Sequence, residues 1–150
     1  MKKKVGSLVL VLTAVSLISL GANSAIHKNH CRNVQLNLNI EDKTSKLLFL
    51  QVQNAALNAT RIQDPNGFDL KNRAIAFYKN FYLEAADASN NASCFSPQAT
   101  SAIPSLKQIN LEALHRWENV APNQITPVMI KPLIGTYGTF LSLIYPNQKS

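Results

Sequence analysis

The chain has 150 residues, 46% of them hydrophobic, and a formal net charge of +7, so its length suits one domain with a core of its own. Lys2–Lys4 contribute three of the positive charges, and the other Lys and Arg are scattered singly along the chain. Such a distribution excludes the continuous basic stripe that nucleic-acid binding needs, and a core of this size requires no cofactor or structural metal.

Residues 1–25 have the three parts of a secretory signal peptide. Lys2–Lys4 form a positive region, Leu8–Leu20 is an apolar run, and small residues lead to Ala25, after which cleavage is expected. The apolar run is shorter than the roughly 20 residues of a membrane-spanning helix. We therefore expect residues 26–150 to be a single exported domain, periplasmic or secreted, with no membrane span after cleavage.

The two cysteines, Cys31 and Cys94, would enter an oxidising compartment in an exported protein. Two thiols in one small domain of this kind usually pair. We expect a structural disulfide, which stabilises the fold by roughly 4 kcal/mol for a loop of this length.

The first two predicted elements are a strand and a helix. Val34–Ile40 alternates apolar and polar residues, as a half-buried strand does, although its asparagines also suit an extended lead-in. From Thr44 to Ile62 apolar residues recur every three or four positions, which predicts a helix. Leu47, Leu50 and Leu57 widen its stripe, so we expect most of its circumference to be covered.

A turn over Asp64–Gly67 separates this helix from a second one, which reaches about Ala88. Residues 89–105, rich in Ser, Asn, Ala and Pro, predict a long loop around the second cysteine. Tyr78 and Tyr82 give the second helix an aromatic edge. We expect that edge and the loop to form a partner-binding surface.

A third helix follows Pro104, and its apolar spacing predicts Trp117 as a core residue. The segment 126–146 fits two periods, a helical face or strands, and we favour the helix; a strand paired with residues 34–40 is the alternative. The predicted fold class is mainly α, a small bundle of three to four helices with at most a minor strand pair. The alternative class is α+β.

Two groups of side chains are weak candidates for metal binding. Glu112 and His115 have the Glu-x-x-His spacing of di-iron bundles, but the chain has one such pair where a bundle uses two. His27 and His30 follow the predicted cleavage site. Cleavage after Ser24 would make His27 the third residue of the mature chain, and a histidine at that position together with the free amino terminus suits Cu(II). We expect both groups to be solvated surface residues and predict no cofactor.

Motifs of nucleophilic, phosphate-binding, haem-binding and zinc-protease sites are absent from the sequence. We therefore expect a non-catalytic interaction or structural protein of the bacterial envelope or exterior, such as an adaptor, an inhibitor, a secretion accessory or a virulence-type factor, with a protein partner. Contact with a membrane surface and the oligomeric state stay open. The alternative is an envelope enzyme or a small-ligand or metal-binding protein that uses Glu112 and His115 or the N-terminal histidines.

Overall fold

A computed structural model describes the backbone of residues 4–60 and 67–146, and the side chains of residues 23–59 and 67–146. The described chain is mainly helical and contains no strand, which confirms the predicted fold class. The four helices are α1 (Lys4–Thr60), α2 (Phe68–Asn90), α3 (Pro97–Asn119) and α4 (Lys131–Ile144). Short 3-10 turns lie at Ala92–Cys94, Pro122–Gln124 and Pro127–Ile130.

The chain divides into two compact units, residues 1–36 and residues 37–150. In the first unit, the described residues belong to the amino-terminal part of α1. The second unit contains the rest of α1 together with α2, α3 and α4, and α3 packs against both α2 and α4.

The strand predicted at residues 34–40 is wrong, because this segment belongs to α1. Its apolar residues suit a helix as well as a strand: Val34 and Leu38, four apart, are buried, whereas Leu36 and Ile40, also four apart, are exposed. The alternating apolar residues of this segment therefore lie on two different faces of the helix, one buried and one exposed. The paired strand in the carboxyl-terminal segment is wrong too, since α4 is a helix there.

The core of the second unit is aromatic. The rings of Phe77 and Phe81 in α2 lie 5.2 and 5.4 Å from the ring of Tyr137 in α4, and Phe81 lies 5.1 Å from Phe140. Phe49 of α1 joins the group, 5.3 Å from Tyr137. Tilted and edge-to-face rings at these distances pack favourably, so one aromatic cluster fixes α1, α2 and α4 together.

The long loop predicted for residues 89–105 is also wrong, because α2 extends to Asn90 and α3 starts at Pro97. Ser96 caps α3 by accepting a hydrogen bond from the Ala99 backbone N–H at 3.2 Å. Pro97 occupies the first position of α3, where proline is favourable because the backbone N–H has no helical partner. Pro104 lies inside the helix. The Ser- and Pro-rich composition thus marks a helix start here.

The predicted turn before α2 falls mainly on residues 64–66, which lie outside the described part of the chain. Gly67 is described, and its φ of 63° is in the left-handed region. A Cβ at this position would lie 2.8 Å from Ile125 Cβ and 2.8 Å from the Pro122 carbonyl oxygen. Glycine is therefore required here both by its backbone conformation and by close packing.

The segment Pro127–Ile144 is the one stretch, among the residues whose structure is described, that is long and apolar enough by length and composition to cross a membrane. Within α4, the side chains of Leu133, Tyr137, Phe140 and Ile144 are buried in the fold. They recur at three- and four-residue steps, so the helical period favoured for this segment is confirmed.

Candidate functional site

The aromatic edge predicted on α2 is wrong for one of its two residues. Tyr78 is 2% exposed, and Tyr82 is half-buried. The Tyr78 hydroxyl accepts a hydrogen bond from Trp117, and burial raises the pKa of Tyr78 to about 12. Tyr78 is thus a core residue, which leaves Tyr82 as the accessible member of the pair.

The four weak metal candidates lie on two different helices. His27 and His30 are exposed on α1, and Glu112 and His115 are exposed on α3. Glu112 accepts a hydrogen bond from Gln108 Nε2 at 2.9 Å. Among the described residues, no group of three His, Cys, Asp or Glu side chains could hold a metal ion.

Both cysteines are oxidised, and Cys31 and Cys94 form the expected disulfide. The ring Nε2 of His27 lies 3.6 Å from Cys31 Sγ, one helical turn along α1. A disulfide sulfur is neither a nucleophile nor a metal ligand, since both roles need the thiolate. The cysteines are therefore structural in this oxidised state.

A buried acidic cluster, which the sequence analysis did not anticipate, joins α1 and α2. Glu84 is fully buried, and its Oε2 accepts a hydrogen bond from Ser45 Oγ at 2.5 Å. Asn80 Nδ2 donates to the same Ser45 oxygen at 2.8 Å. Glu84 Oε1 has no hydrogen-bond partner among the described residues. Burial and the unpartnered oxygen favour the neutral acid over the carboxylate, and they outweigh the hydrogen bond from Ser45, which favours the carboxylate.

Asp42 is the second acid of this cluster and is also buried. It accepts a hydrogen bond from the Tyr137 hydroxyl at 2.8 Å and forms an ion pair with Lys46 Nζ at 2.6 Å. Burial raises the pKa of Glu84 to about 8; the nearby Asp42 and Glu41 also raise it, whereas the Ser45 hydrogen bond and Lys46 lower it. The cluster is closed to solvent, so it offers a proton-binding group inside the core rather than a site open to a substrate.

One open cleft lies among α3, the Pro127–Ile130 turn and the start of α4, with a volume of about 360 Å³. Arg116 and Lys131 are its two charged residues, and both are exposed. The other lining residues are largely apolar: Tyr78, Ala113, Trp117, Val128, Met129 and Pro132.

A second feature is an exposed apolar face on α1. Ile40, Leu47, Leu50 and Leu57 are 64%, 57%, 55% and 56% exposed. Their spacing of seven, three and seven residues places them on one side of the helix, opposite the buried Leu38, Ser45 and Val52. We call this face the α1 seam; with its two polar positions it consists of Ile40, Lys43, Leu47, Leu50, Asn54 and Leu57.

The α1 seam overturns the expectation that most of this helix is covered. The sequence pattern predicts a widened buried stripe through Leu47, Leu50 and Leu57, but these three side chains are more than half exposed. At its carboxyl-terminal end the seam borders the Pro127–Ile130 turn, where Asn54 and Leu57 line a pocket with Pro127 and Ile130. Within the second unit, the seam and the cationic cleft are both accessible to a partner or ligand. No protein-family model, curated protein or solved structure matches the chain.

Proposed function

We propose that the protein is an exported, non-catalytic interaction protein whose α1 seam binds another helix, and that its partner is a second copy of the same chain. The α1 seam carries this proposal. Large apolar side chains are more than half exposed at four positions on one helix face. A row of large exposed apolar side chains along one helix face is typical of protein-binding sites.

The spacing of the α1 seam specifies how a partner would bind. Apolar side chains alternating at three and four residues form the a and d positions of a coiled coil, whose partner is another helix with the same repeat. In this register Ile40 and Leu47 occupy a positions, and Leu50 and Leu57 occupy d positions. Lys43 and Asn54 interrupt the seam with one polar group each, and polar groups at such positions select register and orientation.

The order of residues along the seam is self-complementary when two copies run antiparallel. A two-fold axis between Leu47 and Leu50 places each of these leucines opposite the other in the second copy. The same axis pairs Ile40 with Leu57, and Lys43 with Asn54. Apolar side chains therefore meet apolar ones, and the ammonium group meets an amide oxygen, as a symmetric interface requires.

A parallel pair in register is less favourable, because it would place Lys43 against Lys43 of the second copy. Like charges in a desolvated seam are destabilising. The charge pattern thus supports the antiparallel arrangement.

Export is the second part of the proposal. It is supported by the order of charged, apolar and small residues in positions 1–25 and by the oxidised pair Cys31–Cys94, which suits a periplasmic or extracellular location. Amino-terminal sequencing of protein recovered from the periplasm or medium tests it. A first residue at 23, 25 or 26 is expected, and recovery of the full-length chain from the cytosol would overturn it.

Self-association is tested by sedimentation of the purified exported protein over a range of concentrations. We expect a monomer–dimer equilibrium that Leu47→Glu weakens at least tenfold. Leu83→Glu is the matched control, because Leu83 is 63% exposed on α2 and lies outside the seam. A monomer at every concentration, or equal effects of the two substitutions, would refute the role of the seam.

Orientation is tested by Asn54→Asp. In the antiparallel dimer the new carboxylate faces Lys43 of the second copy, so the dimer becomes tighter at low salt and the gain fades at high salt. In a parallel dimer the new carboxylate would face the same carboxylate of the second copy, and the repulsion between them would weaken association. A weaker dimer would therefore reject the antiparallel arrangement while leaving the seam itself supported.

A further inference from the structure

We propose that the cleft among α3, the Pro127–Ile130 turn and α4 binds a small anionic amphiphile, a molecule with one carboxylate head and a short apolar chain. This site is distinct from the α1 seam and does not depend on it. Its volume of about 360 Å³ is at the lower end of the range of small-molecule pockets.

The floor of the cleft is apolar even where its residues carry polar atoms. Trp117 and Tyr78 are both buried, and the Trp117 side chain hydrogen-bonds to the Tyr78 hydroxyl. This bond satisfies the indole N–H, so Trp117 offers a ligand only apolar ring surface. Val128 and Met129 extend that surface toward solvent. An apolar chain laid against Val128 and Met129 would remove its own surface and their accessible surface from water, with the Tyr78 and Trp117 rings beneath them.

The rim of the cleft is cationic. Arg116 comes from α3 and Lys131 from the first turn of α4, and the residues that line the cleft include no carboxylate. Glu118, a nearby acid of α3, is paired with Lys79 at 3.5 Å. Two cations beside an apolar floor complement an anionic head attached to an apolar body, and a guanidinium group can bind a carboxylate through two parallel hydrogen bonds.

The same geometry disfavours other ligands. A cationic amphiphile would bring like charge against Arg116 and Lys131. A neutral amphiphile would gain the apolar floor but no ionic contact. The order of affinity is therefore expected to be anion, then alcohol, then ammonium, for chains of equal length.

Trp117 provides a direct signal, because it is the single tryptophan of the chain and forms part of the floor. The experiment titrates the purified exported protein with decanoate, decanol and decyltrimethylammonium below their micelle concentrations. We expect a saturable change in tryptophan fluorescence with decanoate and an affinity for decanol about tenfold lower. Equal responses to decanoate and decyltrimethylammonium would overturn the proposal.

The variants Arg116→Gln and Lys131→Gln test the rim, with binding also measured by calorimetry. Each is expected to lower the affinity for decanoate about tenfold and to leave that for decanol unchanged. Lys107→Gln is the matched control, since Lys107 is also a cation of α3 but does not line the cleft. A loss of affinity equal in all three variants would reflect net charge alone and would reject the site.

Anionic phospholipid vesicles form the last arm of the experiment, because a lipid headgroup presents similar charge. The proposal requires binding of free decanoate. Binding to vesicles without binding of free decanoate would overturn it in favour of a membrane-surface contact.

Discussion

Replacing Glu84 by glutamine should change how the stability of the fold depends on pH. The fully buried Glu84 keeps its proton up to about pH 8, because its pKa is raised to about 8 from the ordinary value of 4.5. The unfolded chain loses this proton near the ordinary value. Between these two pH values the unfolded state binds fewer protons than the folded state, so the free energy of unfolding falls as pH rises. The stabilising contribution is complete below pH 4.5 and is lost by about pH 8.

The magnitude follows from the width of that interval. Each pKa unit corresponds to about 1.4 kcal/mol, so the shift of Glu84 accounts for a loss on the order of 4 kcal/mol between pH 4.5 and pH 8. A glutamine side chain at this position would have nearly the same volume, would accept the hydrogen bond of Ser45 and would carry no charge at any pH. We therefore expect Glu84→Gln to flatten the pH dependence and to stabilise the fold at pH 8.

Urea unfolding followed by circular dichroism at pH 5, 6.5 and 8 measures the effect, with the disulfide kept intact. Wild type should lose stability steadily across this series, and Glu84→Gln should lose much less. Glu118→Gln, a substitution of an exposed acid on α3, is the control and should follow wild type. Parallel profiles for wild type and Glu84→Gln would refute the assignment of a buried, protonated acid.

Three further predictions concern packing and cross-linking. Phe81→Ala removes a fully buried ring from the aromatic cluster and should lower the free energy of unfolding by roughly 3–5 kcal/mol, measured by urea denaturation. Gly67→Ala should cost more than about 1 kcal/mol in the same assay, because the new methyl meets Ile125 at 2.8 Å and the backbone φ is positive; an unchanged midpoint would contradict this. Reduction of Cys31–Cys94 should lower stability by roughly 4 kcal/mol, and the double serine variant should match the reduced protein.

The apolar stripe of α2 could be read from the sequence, whereas the segment that forms α4 fits both a helical and a strand period. Leu70, Ala74, Phe77 and Phe81 recur at helical spacing and are all buried. A stripe of this width specifies a helix regardless of what covers it, because its residues must share one face. The disulfide was also predictable, from the number of cysteines and from the export that the pattern of residues 1–25 predicts.

The acidic cluster was not predictable from local pattern. Asp42 and Glu84 are charged residues within otherwise apolar stripes, and isolated charges of this kind are usually solvated. Ser45 and Tyr137, which hydrogen-bond to them, are 39 and 95 residues away from their partners in sequence. Only the packing of α1 against α2 and α4 brings these groups into one buried space.

Periodicity and composition are local properties, so the order of residues was enough to predict a mainly helical fold and the single apolar face of α2. It left open which face of α1 is covered, because Leu38 and Leu47 have equal hydrophobicity. The packing of the folded chain resolved that question: α1 has apolar residues on opposite sides, and its neighbours cover the side of Leu38. The exposed seam, the buried acid and the cationic cleft all depend on contacts between distant segments, which no local pattern encodes.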